Sequence, residues 1–180
     1  MRVFSLLILL ITFVGFTTDT EKDSSLQLTS GKFTVKGKTS IGKFECDYKL
    51  KIKDTLFFNQ EKGFAYHVPV VDFKCGNFLL NKDFRKTLKH KEFPEVYFKL
   101  LQVSPKTDEE YEFDLYLKIA GKEKTIERLT LKKEAQELTG NVDLTFSDFD
   151  LTPPKKLGGA IKIEEEIKLA ILLRIEEKQF

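Results

Sequence analysis

A chain of 180 residues with 41% hydrophobic and 32% charged side chains is long enough to bury one core and too apolar to remain disordered. Thirty basic and twenty-eight acidic side chains give a net charge of +2, with the signs interleaved along the chain, so the basic block expected of a nucleic-acid binder is missing. Seventeen Phe against no Trp and one Met weights the aromatic content toward a strand-forming, purely apolar side chain.

Taken in chain order, the first signal is a leader. Met1 and Arg2 precede an uncharged run over residues 3–16, and the polar TTDTEKDSS follows it. The run is shorter than the roughly 20 residues that span a bilayer. It reads as a secretory signal peptide over residues 1–18, with the weak small-x-small pair Gly15 and Thr17 near its end. Residues 19–180 are then one exported domain, periplasmic or secreted. The leader and its flank carry no Cys for a lipid anchor, and no stable membrane insertion is expected once the leader is gone.

Beyond it the hydrophobic period is two almost everywhere, the pattern of half-buried strands. Phe33 and Val35 begin it. Phe44, Cys46, Tyr48, Leu50 and Ile52 then share one face opposite Lys43, Glu45, Asp47, Lys49 and Lys51. Phe64, Tyr66 and Val68 repeat the pattern before Pro69, and Val70, Val71 and Phe73 continue to Cys75. Between residues 79 and 89 the period changes: Leu80, Phe84 and Leu88 recur every four residues, predicting a short amphipathic helix against the sheet, with Asn77 or Asn81 as cap and Pro94 beyond its end. Val96, Phe98 and Leu100 form a strand predicted to stop at Ser104-Pro105. Tyr111, Phe113, Leu115, Leu117 and Ile119 alternate cleanly up to Gly121. Residues 126–131 follow, then Leu138, Val142, Leu144 and Phe146. After a proline- and glycine-rich loop over 152–160, Ile167, Leu169, Ile171, Leu173 and Ile175 close the chain. About eight antiparallel strands with one apolar face each form either a sandwich or a closed barrel, and closure removes exposed edges.

Candidates for chemistry are few. Cys46 and Cys75 either bridge, as an oxidising compartment allows, or lie buried as free thiols. Two Cys and two His at wide spacings match no zinc pattern, so no metal or other cofactor is expected. His67 lies opposite the apolar face of its strand and His90 at a helix end, neither beside a recognisable nucleophile. Glu164, Glu165 and Glu166 alternate faces on a strand and cannot converge on one ion. Cys75-Gly76-Asn77 suits a tight strand-to-helix corner or an element at a cavity mouth.

Several segments together resemble the YceI-like family of exported lipid- or polyisoprenoid-binding proteins. They are Gly37-Lys38-Thr39-Ser40 leading into the Phe44 strand, residues 70–77 running into the helix, and residues 93–98 after it. Residues 117–124 resemble the family's internal strand and turn, and residues 145–149 its segment before the proline loop. The resemblance spans roughly residues 27–175. It implies an all-β, eight-stranded antiparallel lipocalin-like barrel with one short helix, an elongated apolar ligand inside, and no catalytic residues. Family members conventionally show TS-x-x-HDF, and this chain departs from that pattern with Ile41-Gly42-Lys43-Phe44 at the place where a polar contact to a ligand head group would be made.

The function expected is therefore a carrier holding an apolar or amphiphilic small molecule of isoprenoid, quinone or fatty-acyl type, and not an enzyme. Its wall is expected to comprise Phe44, Tyr48, Phe113, Leu115, Leu117, Leu144, Phe146, Leu169 and Ile171. The competing expectation is a barrel filled by its own Phe residues, working as an interaction module of the cell envelope. A homodimer is compatible with either.

Overall fold

The computed structural model describes residues 25–57, 63–156 and 160–177; the expected leader and residues 157–159 of the proline loop lie outside them. The strands are β1 (Ser25–Thr39), β2 (Gly42–Phe57), β3 (Phe64–Pro69), β4 (Glu95–Thr107), β5 (Glu110–Ile119), β6 (Lys122–Glu134), β7 (Glu137–Thr145), β8 (Lys155–Lys156) and β9 (Ile161–Glu177). The single helix of the described residues, α1 (Phe78–Thr87), lies between β3 and β4.

Eight strands form one antiparallel ladder in the order β2-β1-β9-β7-β6-β5-β4-β3, with β8 paired to β9 off this path. The sheet curls into a barrel because each strand presents one apolar face, and rolling the sheet buries all of them at once. The expected all-β barrel with one short helix is the fold observed.

The two ends of the ladder meet at a seam between β2 and the segment after β3. Asp47 and Lys74 exchange two backbone hydrogen bonds of 2.9 Å each. Beside them Cys46 and Cys75 form a disulfide with Cα atoms 4.0 Å apart. The Asp47 carboxylate is held from outside: Thr34 Oγ1 donates to Oδ1 at 2.7 Å and Lys32 Nζ lies 2.9 Å from Oδ2. Burial alone would raise this carboxyl's pKa. The Thr34 hydrogen bond and the Lys32 and Lys36 charges outweigh it, leaving Asp47 below its ordinary value.

Local differences from the sequence reading have plain causes. Val70 and Val71 do not extend β3. They lie in a 3-10 turn, Val70–Asp72, where Val70 is buried, donates its N–H to Pro94 O at 2.9 Å and turns the chain toward the seam. β4 does not stop at Ser104-Pro105 but runs to Thr107, its register to β5 shifting between Leu101 and Ser104 and again after Pro105. Such a bulge admits a proline because the ladder hydrogen bond it would break is already displaced. The proline loop contributes the two residues of β8.

Side chains divide the interior by height. At one end, where β1, β5 and β7 finish, the strands part: β6 and β7 pair only from Lys132 to Glu134, opposite Glu137 to Thr139. A 3-10 turn at Ser147–Phe149 returns against the free stretch of β6, where Lys124 binds Asp148 and Lys122 lies 2.7 Å from Asp150. At the other end Leu28, Leu50, Phe113, Leu131, Leu138 and Leu173 have at most 1% of their surface exposed. That half is solid. Gly140, on β7 opposite Ile171, sits where an added Cβ would collide with the Leu131 side chain, so the glycine makes room for the packing.

Candidate functional site

The parted half of the barrel encloses a cavity of about 570 Å³. Its wall is built by the ladder's register. Phe33 pairs with Ile171 and Val35 with Leu169 between β1 and β9, Val142 and Leu144 continue that face onto β7, and Phe98 pairs with Leu117 and Leu100 with Leu115 between β4 and β5. Of these, all but Val142 border the cavity.

α1 closes part of the mouth. Gly76, at φ 86°, turns the chain off the seam in a conformation that L side chains rarely adopt. Asn77 then caps the helix, its side chain accepting from Leu80 N at 2.9 Å. Two further bonds anchor α1 to the seam: Asn81 Oδ1 accepts from Cys75 N at 2.8 Å, and an Arg85 Nη donates to Val71 O at 2.6 Å. The predicted stripe Leu80, Phe84 and Leu88 faces the cavity, and the Phe84 ring lies 5.0 Å from that of Phe73. Thus the Cys75-Gly76-Asn77 corner both joins the helix and holds it over the opening.

The rim combines exposed apolar and polar groups. Ile41 in the β1–β2 turn is 75% exposed and Leu79 on α1 60%, yet both border the cavity, so the cavity reaches solvent between them. Phe78 beside Leu79 is 82% exposed. The polar lining, Thr39, Lys43, Asn77, Asp83, Thr87 and Thr145, comes from strand ends and α1, while the wall below is hydrocarbon and aromatic apart from the Cys46 sulfur.

Of the nine residues expected to form the wall, seven border this one cavity: Phe44, Leu115, Leu117, Leu144, Phe146, Leu169 and Ile171. Tyr48 and Phe113 do not. Tyr48 lies in the seam, hydrogen-bonded to Tyr66 and 5.5 Å ring to ring from Phe73; burial first, and then Tyr66, push its phenol up to about 12. Phe113 is inward but one layer lower, in the solid half, 1% exposed. Residues contributing to the wall without being singled out include Phe33, Val35, Phe149, Leu151, Ile163 and the whole helix stripe. Alternation marked Phe33 and Val35 as inward, but nothing in the sequence placed Phe149, Leu151 or Ile163 against the opening.

The remaining candidates lie elsewhere. His67 is on the outer face of β3, its Nδ1 3.1 Å from Glu95 and its ring 4.8 Å from Tyr97. Glu165 accepts from Ser147 N at 2.7 Å, and Glu164 faces Lys38 at 3.9 Å.

An apolar chamber in one half of a curled antiparallel barrel, lidded by a single helix, is also the setting of the sequence match. The profile of the YceI-like domain matches residues 16–175. The chain belongs to the YceI-like family. Solved structures similar to this YceI-like chain agree with the fold. A polyisoprenoid binding domain from Saccharophagus degradans, implicated in plant cell wall breakdown, superposes with a TM-score of 0.56 at 11% identity, covering 87% of this chain and 99% of that one. Burkholderia cenocepacia BcnA gives 0.51 at 15% identity over 80% of this chain and 96% of its own. The Campylobacter jejuni YCEI protein gives 0.52 at 17% identity over 69% and 75%. No curated protein is similar to the chain in sequence. Among the described residues, no helix is long and apolar enough to cross a membrane.

Proposed function

We propose that this YceI-like protein is an exported carrier that holds the hydrocarbon part of an amphiphile, of isoprenoid, quinone or fatty-acyl type, inside the open half of its barrel, with the head group at the rim. The cavity itself carries this reading. A space of about 570 Å³ walled by Phe, Leu, Ile and Val lies within the range of small-molecule sites, and water in it would find few hydrogen-bonding partners. Each methylene moved from water into it gains about 0.8 kcal/mol. Phe44, Leu115, Leu117, Leu144, Phe146, Leu169 and Ile171 serve as wall, and the polar set at the rim orients the head group. Export as residues 19–180, after loss of a leader over 1–18, would place the carrier in the periplasm or medium, where the Cys46–Cys75 bridge is stable.

Native mass spectrometry of the mildly purified mature protein, followed by organic extraction, tests the proposal. A stoichiometric amphiphile is expected. A protein that carries none and takes up no added isoprenoid, quinone or fatty acid would instead be a barrel acting through its surface.

A further inference from the structure

We infer that the solid half of the barrel acts as a floor that limits the apolar chain held by this protein to on the order of 20 carbons. The inference rests on the carrier reading above and adds a length limit to it. The observation behind it is a sharp boundary along the strands. Ile171 borders the cavity and Leu173, the next inward residue on β9, does not; Leu115 borders it and Phe113, the next inward residue on β5, does not. On β2, Cys46 borders it and Leu50 lies below. The layer under the boundary is Leu50, Phe113, Leu131, Leu138 and Leu173, none more than 1% exposed.

This layer is packed from both sides. Leu138 is paired with Leu173, and Gly31 is paired with both Leu50 and Leu173. A Cβ built on Gly31 would stand 3.1 Å from Leu173 Cδ2 and 3.3 Å from Leu50 Cδ2, so these leucines already occupy the space over the glycine. An apolar chain entering at the rim therefore meets close-packed side chains, where inserting further methylenes forces strain.

Volume sets the limit. At about 30 Å³ per chain carbon, close to the share of one liquid water, about 570 Å³ holds on the order of 20 carbons. A longer chain leaves its remainder outside the mouth, across Ile41, Phe78 and Leu79, where contact with water is only partly relieved.

The test is a chain-length series on the lipid-stripped mature protein with its disulfide intact. Saturated fatty acids of about 10 to about 26 carbons, delivered from cyclodextrin, displace a fluorescent fatty acid, and affinity is expected to rise by up to about fourfold per added carbon and to level near 20. Phe113→Ala, which hollows the floor, should move the levelling point to longer chains. Ile171→Phe, which raises the floor, should move it to shorter ones. Affinity still climbing at the longest acid would overturn the length limit while leaving the carrier intact. A folded Phe113→Ala protein with an unmoved levelling point would overturn the role of the floor. No displacement at any length would overturn the carrier reading and the limit with it. If Phe113→Ala does not fold, the wild-type series and Ile171→Phe still decide the matter.

Discussion

Removing the Cys46–Cys75 bridge, as Cys46→Ala/Cys75→Ala, tests how the barrel is closed. The cysteines are 29 residues apart in sequence, and the chain-entropy relation for a loop of that length gives about 3.6 kcal/mol at ~25 °C. Around the bridge, among the described residues, the seam is held by the two backbone bonds of Asp47 with Lys74, the Asn81 bond to Cys75, the Tyr48–Tyr66 side-chain bond and ring packing, whereas the other joins in the barrel are strand ladders. Native ladders on the other strands should keep the variant folded, since total stability of a domain this size is commonly about 5–15 kcal/mol. Urea unfolding followed by far-ultraviolet circular dichroism reads the effect. With a slope of about 2 kcal/mol per molar, the midpoint should fall by roughly 1.5–2 M. A fall of less than about 0.5 M would refute the reasoning, because the ladder and α1 would then be closing the barrel without the bridge.

Three further outcomes are expected. Leu117→Trp puts the only tryptophan of the chain into the cavity wall: its fluorescence should be blue-shifted, and uptake of a fluorescent fatty acid should fall at least about tenfold, since a filled cavity forfeits several methylenes of burial. The Asp148 carboxyl, raised by burial but lowered further by hydrogen bonds from Lys124 and Thr145, sits below its ordinary value. Its contribution is complete above the unfolded carboxylate pKa of about 3.9 and is lost as pH falls through the folded value, so Asp148→Asn should cost about 1–3 kcal/mol at neutral pH and flatten the acid limb of a stability-against-pH curve. Tyr48, at about 12, should ionise above the ordinary tyrosine range in an ultraviolet titration. Because its folded pKa is raised, the unfolded chain loses its proton first and stability declines as pH climbs from about 10, a decline that Tyr48→Phe should reduce.

The strand faces were legible because alternation needs only the pleat: Phe44 to Ile52 and Tyr111 to Ile119 point inward as their spacing requires. Height along the barrel axis was not legible. Phe113 and Leu115 share a face and a strand, yet one is floor and the other wall, a distinction set by how many inward neighbours fill each layer. Tyr48 points inward too but packs at the seam and not on the cavity, because there β2 meets residues after β3 instead of a continuous ladder, and that closure depends on contacts distant in sequence. The helix stripe Leu80, Phe84 and Leu88 was evident, but its role as a lid follows from tethers through Asn81 and Arg85 that no hydrophobic period encodes. Pro105 reads as a strand stop because proline lacks an N–H, and only the bulge beside it lets β4 continue.

Methyl NMR of the Leu-, Val- and Ile-labelled protein, titrated with a prenyl alcohol of about 15 carbons, short enough to fit the cavity whole, tests most directly whether the open half of the barrel takes up an apolar chain. Saturable shifts are expected at Leu115, Leu117, Leu144, Leu169 and Ile171, with Leu50, Leu131, Leu138 and Leu173 much less affected. Shifts confined to surface methyls, or none at all, would contradict it.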